Sequence, residues 1–271
     1  MQEHATITLL ANCGVLIRRG NVRILVDGLY SDRNHPFSLV PPALKNSLMA
    51  GEKPIGEINY VMFTHGHPDH FGIRATSQFL AANKVRGLLM PTDNSEPWMA
   101  NRTRMMREWL DEHPQPVHYL DLPQGAAQNL KLEPGVEVTV FNSGHQGAHL
   151  KHNSNYVLLL RLDGINILIT GDAYYSPTMF GRMLEGTPVD AMLINPLFFQ
   201  QPKGVQVVNE VVKPRILVLY HLPFADNDKF GTRRMADRQA ERHSREAYEI
   251  HVLRESLQTV DVPKTLGRIL R

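Results

Sequence analysis

The sequence predicts an α/β fold in which two β–α halves pack face to face, sheets inside and helices outside, as a four-layer sandwich. Two internal echoes carry the prediction. Val15–Asp27 reads as apolar strand, turn, apolar strand and Asp, and Tyr156–Asp172 reads the same way. Val61-Met62-Phe63-Thr64-His65 is matched by Leu217-Val218-Leu219-Tyr220-His221, an apolar strand capped by histidine. With only two copies, the repeat is too long-period for a solenoid. A third observation is that Tyr156–Leu162 and Ile165–Thr170 are nearly continuous apolar runs, as in a sheet covered on both faces.

A chain of 271 residues is long enough to bury a full core, and we expect one domain over 1–271. Hydrophobic content of 42% and charged content of 21% are ordinary for a globular protein. A net charge of +2 gives no global basic field, so no nucleic acid partner is expected. The single cysteine, Cys13, excludes an internal disulfide, fits a reducing compartment and reads as a small buried hydrophobe. No basic stretch precedes the first apolar run, and no run approaches the roughly 20 apolar residues of a membrane span. The expectation is a cytoplasmic protein with no membrane contact; a homo-oligomer is compatible with the sequence.

In order, Thr6–Leu10 and Val15–Arg18 read as strands, followed by a turn at Arg19-Gly20-Asn21 and a strand Val22–Val26 ending in Asp27. Asp27 reads equally as a turn former or as a group orienting a metal ligand. Residues 28–57, with Asp32, His35, Pro36, Pro41, Pro42 and Gly51, form an irregular loop of the kind that lids a pocket, around a short helix near Ala43–Met49. Asp32 and His35 read first as solvated loop residues. A helix from Phe71 to about Asn83 would bury Ile73, Phe79 and Leu80. A strand at Val85–Met90 precedes a helix from about Ser95 to Glu112, whose Trp98, Met105, Met106, Trp109 and Leu110 read as a core stripe.

Strands follow at Val117–Leu120 and Val136–Phe141, with a loop at Gly125–Gln128, and then the hairpin across Asp163-Gly164. A helix Pro177–Leu184, a strand Ala191–Asn195, a helix Val205–Val212 and a strand Ile216–Tyr220 complete the second half. A C-terminal helix is expected from about 231 to 258. Glu241/Arg245 and Arg242/Glu246 would form its solvated face, and Ala247, Ile250, Leu253 and Leu257 its buried one. Its arginines read as surface charge.

The chemistry concentrates in Thr64-His65-Gly66-His67-Pro68-Asp69-His70, where four metal-binding side chains fall within six positions after an apolar strand. Extended backbone points residues two apart the same way, so His65 and His67 can grip one ion. Pro68 suits a first helical turn, and a helix N-terminus favours the Asp69 carboxylate; His70 would enter from that helix and serve a second ion. Imidazole and carboxylate suit Zn(II), and Mn(II) or Fe(II) tolerate the same set. An incidental histidine-rich tag would be terminal and flanked by polar filler, unlike this internal stretch. His145 follows a strand and His221 caps another. Asp172 closes an apolar strand, where an unpaired carboxylate is costly and a cation is one partner. His149 and His152 read as loop residues.

This stretch resembles the His-x-His-x-Asp-His box of the metallo-β-lactamase superfamily, and the resemblance runs from about residue 5 to 225. It implies an αββα sandwich of the metallo-β-lactamase type. It also implies two divalent metal ions, zinc first with manganese or iron tolerated. His65, His67 and His145 would hold the first ion, Asp69, His70 and His221 the second, and Asp172 would bridge them. Gly66–His70 and Ile169-Thr170-Gly171-Asp172 look closest to the small metal-dependent hydrolases that include the ascorbate-6-phosphate lactonase. No cysteine stands at the bridging or second-ion positions, unlike the antibiotic-hydrolysing branch with a Cys ligand. His67 stands where the flavodiiron oxidoreductases carry Glu.

The implied activity is hydrolysis of a small ester, lactone or phosphodiester by a hydroxide shared between ions about 3.5–4 Å apart, with one ion polarising the substrate oxygen. Asp69, while ligating, would also orient the hydroxide. A small-molecule substrate would touch Gln146-Gly147-Ala148-His149 and the 28–57 loop, with Lys151 a donor for a phosphate. The alternatives are a non-haem di-iron oxidoreductase or dioxygenase in the same ligand cage, and a non-catalytic module that keeps the fold.

Overall fold

The computed structural model describes residues 4–30, 37–92, 96–150 and 152–264. Two seven-stranded sheets face each other. The first contains β1 (His4–Ala11), β2 (Gly14–Arg19), β3 (Val22–Val26), β4 (Tyr60–Met62), β5 (Gly87–Pro91) and β6 (Val117–Leu120) in sequence order, with β14 (Thr259–Pro263) beside β1. The second runs from β7 (Ala127–Glu133) through β8 (Val136–Asn142), β9 (Tyr156–Leu162), β10 (Ile165–Ile169), β11 (Ala191–Ile194) and β12 (Ile216–Leu219) to β13 (Glu249–Val252).

Each sheet passes from antiparallel hairpins to parallel crossovers: β1–β2–β3 and β8–β9–β10 are antiparallel, whereas β3 to β6 and β10 to β13 are parallel. Parallel pairs need a crossover, and helices supply it on the outer faces. These are α1 (Pro42–Ala50), α2 (Ile73–Ala82) and α3 (Pro97–Glu112) in the first half, and α4 (Pro177–Leu184), α5 (Pro202–Gln206) and α6 (Thr232–Arg242) in the second.

Alternation along the strands divides the apolar side chains among three cores. Ile7, Leu9, Val15, Ile17, Leu158, Leu160 and Ile167 meet between the sheets. Leu16, Leu25, Val61, Phe79, Met106 and Leu110 lie under the first helical layer, and Leu159, Leu168, Phe180, Met192 and Val208 under the second. Three apolar cores between four structural layers make the αββα sandwich that the sequence predicts. Helix ends follow local chemistry: Ser176 caps α4 by accepting the Met179 N–H, and Gly51 closes α1 at φ +66°.

Four expectations are corrected. The C-terminal helix from 231 to 258 stops at Arg242; β13 and β14 follow, because Val260 and Val262 bury at a period of two, and Ala247 is exposed. Glu241/Arg245 and Arg242/Glu246 are therefore not successive turns of one helix. Gly125–Gln128 runs into an edge strand, β7, whose half-buried alternation is too polar to stand out. Val205–Val212 is the end of α5 continued by a π-helical turn over Val207–Val212. On α3 the buried positions are Met99, Thr103, Met106 and Leu110; Trp98 and Met105, one position off that stripe, are 44% and 45% exposed. Among the described residues no helix is long and apolar enough to cross a membrane.

Candidate metal centre

β4 delivers Thr64 and His65 to the rim where the two sheets meet. Asp27, fully buried after β3, fixes this corner: Oδ1 accepts the Thr64 N–H at 2.8 Å, and Oδ2 accepts the Thr64 hydroxyl at 2.6 Å and His70 Nδ1–H at 2.8 Å. The even choice that the sequence left for Asp27 resolves to an orienting group. His70 Nε2 is thereby the nitrogen directed into the site. Likewise His145 donates Nδ1–H to the Gln146 carbonyl at 2.6 Å, and its buried Nε2 has no hydrogen-bond partner.

Residues 67–70 form a turn, with His70 N–H and Phe71 N–H both donating to the His67 carbonyl at 3.0 and 2.9 Å. Helix α2 begins only at Ile73, after an extended Gly72. Pro68 and Asp69 therefore do not occupy a first helical turn, and the expected helix-dipole support for Asp69 is absent.

All seven side chains singled out in the sequence come together. His65, His67, His145 and Asp172 each offer an atom within 4.8 Å of the others. His70 Nε2 and His221 Nε2 are 3.0 Å apart, and Asp69 Oδ2 lies 3.5 and 3.3 Å from them. Asp172 stands between the groups, Oδ2 3.4 Å from His145 Nε2 and Oδ1 3.8 Å from His221 Nε2. Asn195, after β11, donates to Asp172 Oδ1 at 2.9 Å, and Asp172 N–H donates to Asn155 Oδ1 at 2.9 Å. This strand end needs glycine at 171: φ is +55°, and a Cβ would come within 2.8 Å of Thr64. His221 is itself at φ +62°, a costly conformation for a non-glycine residue, with its N–H on the Asn12 carbonyl.

The electrostatics divide the cluster. Burial, with the neighbouring His70, holds His65 well below the usual histidine range, and burial beside His145 lowers His67 to about 4. For His70 burial acts downward but is outweighed by the Asp69 and Asp27 carboxylates, so its pKa is raised well above the usual value; His221 is raised against burial by Asp172 and Asp69. Burial would raise both carboxyls, yet the adjacent histidines bring Asp69 down to about 2 and Asp172 well below the ordinary range. Ionised carboxylates and inward-facing imidazole lone pairs, one of them buried without a partner, are a donor set that fits borderline divalent cations.

Cys13 is buried as expected, and its sulfur, from the β1–β2 turn, lies within 4.8 Å of a nitrogen of His70 and of His221. Its thiol donates to the Asp69 carbonyl at 3.0 Å, and burial pushes its pKa to about 12. It is a neutral donor that holds the Asp69 backbone.

An apolar cavity of about 320 Å³ opens from Asp172 and His221 and is walled by Phe37, Pro196, Leu197, Pro223, Phe230 and Met235. Phe37, from the 28–57 loop, meets the His221 ring edge-on at 5.2 Å. Gln146 also lines the cavity, whereas Ala148 lies in a different depression and His149 and His152 are exposed loop residues. Asp32, His35 and Lys151 fall outside the described residues. Sequence reasoning missed Thr64, Asn195 and Trp98, whose ring stacks on His67 at 6.0 Å. Only the position of Asn195 just after an apolar strand gave a signal.

The family model of the metallo-beta-lactamase superfamily matches residues 8–181. No curated protein matches the chain. Among solved structures, CmlA, a diiron β-hydroxylase from Streptomyces venezuelae, is similar at TM-score 0.62 and 15% identity over 97% of this chain and 55% of its own. The chain thus spans about half the length of that protein. Igni18, a metallo hydrolase from Ignicoccus hospitalis, is similar at TM-score 0.61 and 12% identity, covering 95% of this chain and 98% of its own. A possible metal-dependent hydrolase from Veillonella parvula reaches TM-score 0.66 at 11% identity, covering 95% and 99%. At these identities the structures speak for the fold alone, but the family model covers most of the sequence and the box residues with it: the chain belongs to the metallo-beta-lactamase superfamily.

Proposed function

We propose that this chain is a hydrolase that uses two divalent cations, zinc before manganese or iron, to cleave a small carboxylic ester or lactone. The observation that supports it is the convergence of five histidines and two aspartates, of which Asp172 and His221 face an apolar cavity. His65, His67 and His145 would hold one cation, Asp69, His70 and His221 the other, with Asp172 between them. Two such cations supply a hydroxide nucleophile at neutral pH and a Lewis acid for the substrate oxygen.

The protein's own groups then set geometry and proton traffic. Asp69 stays ionised beside His70 and His221, so it can accept a hydrogen bond from the nucleophile and hold its orientation. Asn195 fixes Asp172, and Asp27 fixes His70. Tyr175 donates to Gln146 Oε1, which leaves the Gln146 amide N–H to donate to a substrate oxygen in the cavity. The walls exclude water from the leaving group.

Among the described residues no lysine or arginine lines this cavity, which favours a carboxylic ester or lactone over a phosphodiester at the bond cleaved. A lactone agrees with the branch that the box and the Gly171-Asp172 turn resemble. The likeness to a diiron β-hydroxylase keeps a second reading, a di-iron oxygenase in the same cage.

Elemental analysis with activity on panels of esters, lactones and bis-aryl phosphates tests both. About two zinc or manganese ions per chain with ester or lactone hydrolysis is the expected result. Two irons with oxygen consumption would replace it by the second reading, and inertness on all three panels would end the hydrolase proposal.

A further inference from the structure

The apolar cavity adjoins another depression. Phe230 and Met235 line both, and the second, about 390 Å³ and open to solvent, is bordered by Arg234, Arg238 and Arg242. These arginines stand at i, i+4 and i+8, along one face of α6. All three are exposed, and among the described residues none has a carboxylate within 4 Å.

Of the nearby acids, Asp237 pairs with Arg254, Glu255 with Arg233, and Asp228 accepts the Thr232 and Arg233 N–H groups that open the helix, while Glu241, exposed on the same helix, comes within 4 Å of none of the three arginines. The start of α6 is thus already capped, and the uncompensated positive charge lies on its side chains. Like charges one turn apart repel, so a bound anion would relieve a standing cost. Phe230, 76% exposed, forms the seam between the apolar and the cationic surface. On sequence alone these arginines read as solvated charge; the shared wall is what gives them a direction.

We propose that the substrate is bipartite: an apolar body seated against Phe37, Leu197, Phe230 and Met235, and a remote anionic group, carboxylate, sulfate or phosphate, paired with the Arg234–Arg238–Arg242 ridge. The inference rests on the hydrolase reading for the bond cleaved, and adds the chemistry of the part that is not cleaved. Away from the Asp172 and His221 end, the apolar walls would strip water from an anion without return, whereas guanidinium forks bind oxyanions bidentately in the open depression.

The test measures equilibrium binding of n-octyl sulfate, n-octanol and inorganic sulfate to the metal-loaded protein and to R234Q/R238Q. Octyl sulfate is expected to bind about tenfold more tightly than octanol, as one charge-assisted contact contributes. The double variant should lose that advantage while octanol binding and thermal melting stay unchanged. Equal binding of octyl sulfate and octanol overturns the proposal. So does an advantage that survives R234Q/R238Q but falls in His65→Ala, which would place the anion at the metal centre. Inorganic sulfate binding as tightly as octyl sulfate would leave an anion site without an apolar part, and also overturns it. A kinetic arm compares an ester bearing a remote carboxylate with its neutral isostere. Only the anionic ester should gain KM in the double variant, with kcat unchanged. If wild type hydrolyses neither ester, the hydrolase reading fails, while the octyl sulfate result still judges the ridge.

Discussion

The two halves of the sandwich share a topology and use it differently. In the first, β3, β4, β5 and β6 are joined through α1, α2 and α3; in the second, β10, β11, β12 and β13 are joined through α4, α5 with its π turn, and α6. Asp27 after β3 therefore corresponds to Asp172 after β10, and the turn from Thr64 after β4 corresponds to Asn195 after β11. The sequence echo that pairs Val61–His65 with Leu217–His221 joins strands that are not counterparts: β12 matches β5, which ends at Pro91. Equivalent strand ends have thus diverged into support on one side and cluster on the other. The first half gathers four donors in one turn, braced by Asp27. The second sets single donors at three separate ends: His145 after β8, Asp172 after β10 and His221 after β12. One half builds a grip from local sequence, and the other closes it through tertiary placement.

The sharpest way to break this comparison is to remove the two equivalent aspartates. Asp27→Ala strands the Thr64 N–H and hydroxyl and His70 Nδ1–H without their acceptor. Loss of one member of a buried pair costs about 3–5 kcal/mol, so a large fall in unfolding free energy is expected by chemical denaturation. Asp172→Ala removes a group that faces the cluster, so its main effect is expected on metal content, from about two ions per chain to fewer than one by elemental analysis. Equal losses of stability in metal-free samples of both variants would dissolve the distinction between support and cluster. Asn195→Ala, which removes the 2.9 Å bond to Asp172 and also the Oδ1 acceptor of the Leu197 N–H, should weaken metal binding by about 10–100-fold and cost about 1 kcal/mol of stability through the lost cap. Unchanged affinity would mean that Asp172 is held well enough by its own backbone.

The layers and the first-half donors were legible because they depend on local periodicity. Apolar runs fixed β9 and β10, Pro177–Leu184 marked α4, and His65 to His70 fall within one turn. His145, Asp172 and His221 stood out only as polar residues closing strands; that they meet is a property of the sheet order. The groups that hold the cluster were least visible. Cys13 reaches Asp69 across 56 residues and Asn195 reaches Asp172 across 23, with no pattern in the intervening sequence. The C-terminus misled because charged i,i+4 spacing continues past Arg242, while the alternation of Val260 and Val262 covers too few residues to outweigh it. Trp98 and Met105 looked like core because a stripe shifted by one position is hard to tell from the true one.

A smaller effect separates the two proposed cation positions within the cluster. His65 and His67 are held neutral at pH 7, one well below its usual range and the other at about 4, so a cation entering there displaces no proton from them. His70 and His221 are raised in the metal-free protein, so a cation at the second position must expel protons that they carry near neutrality. Affinity for the second ion should therefore rise with pH through the raised histidine values, whereas His65 and His67 contribute no such dependence to the first near neutrality. The linked stability has the same origin. A histidine raised on folding stabilises the metal-free protein below its unfolded value near 6.5, and that contribution is lost as pH rises through the folded value. His67, lowered on folding, acts oppositely: its contribution is present above 6.5 and is lost as pH falls toward 4. Titration calorimetry with Zn(II) at pH 7 in two buffers of different ionisation enthalpy reads the proton count at each step. Release confined to the second ion supports the division between the halves of the cluster; equal release at both steps would show that the metal-free histidines share their protons and that the division is not present in solution.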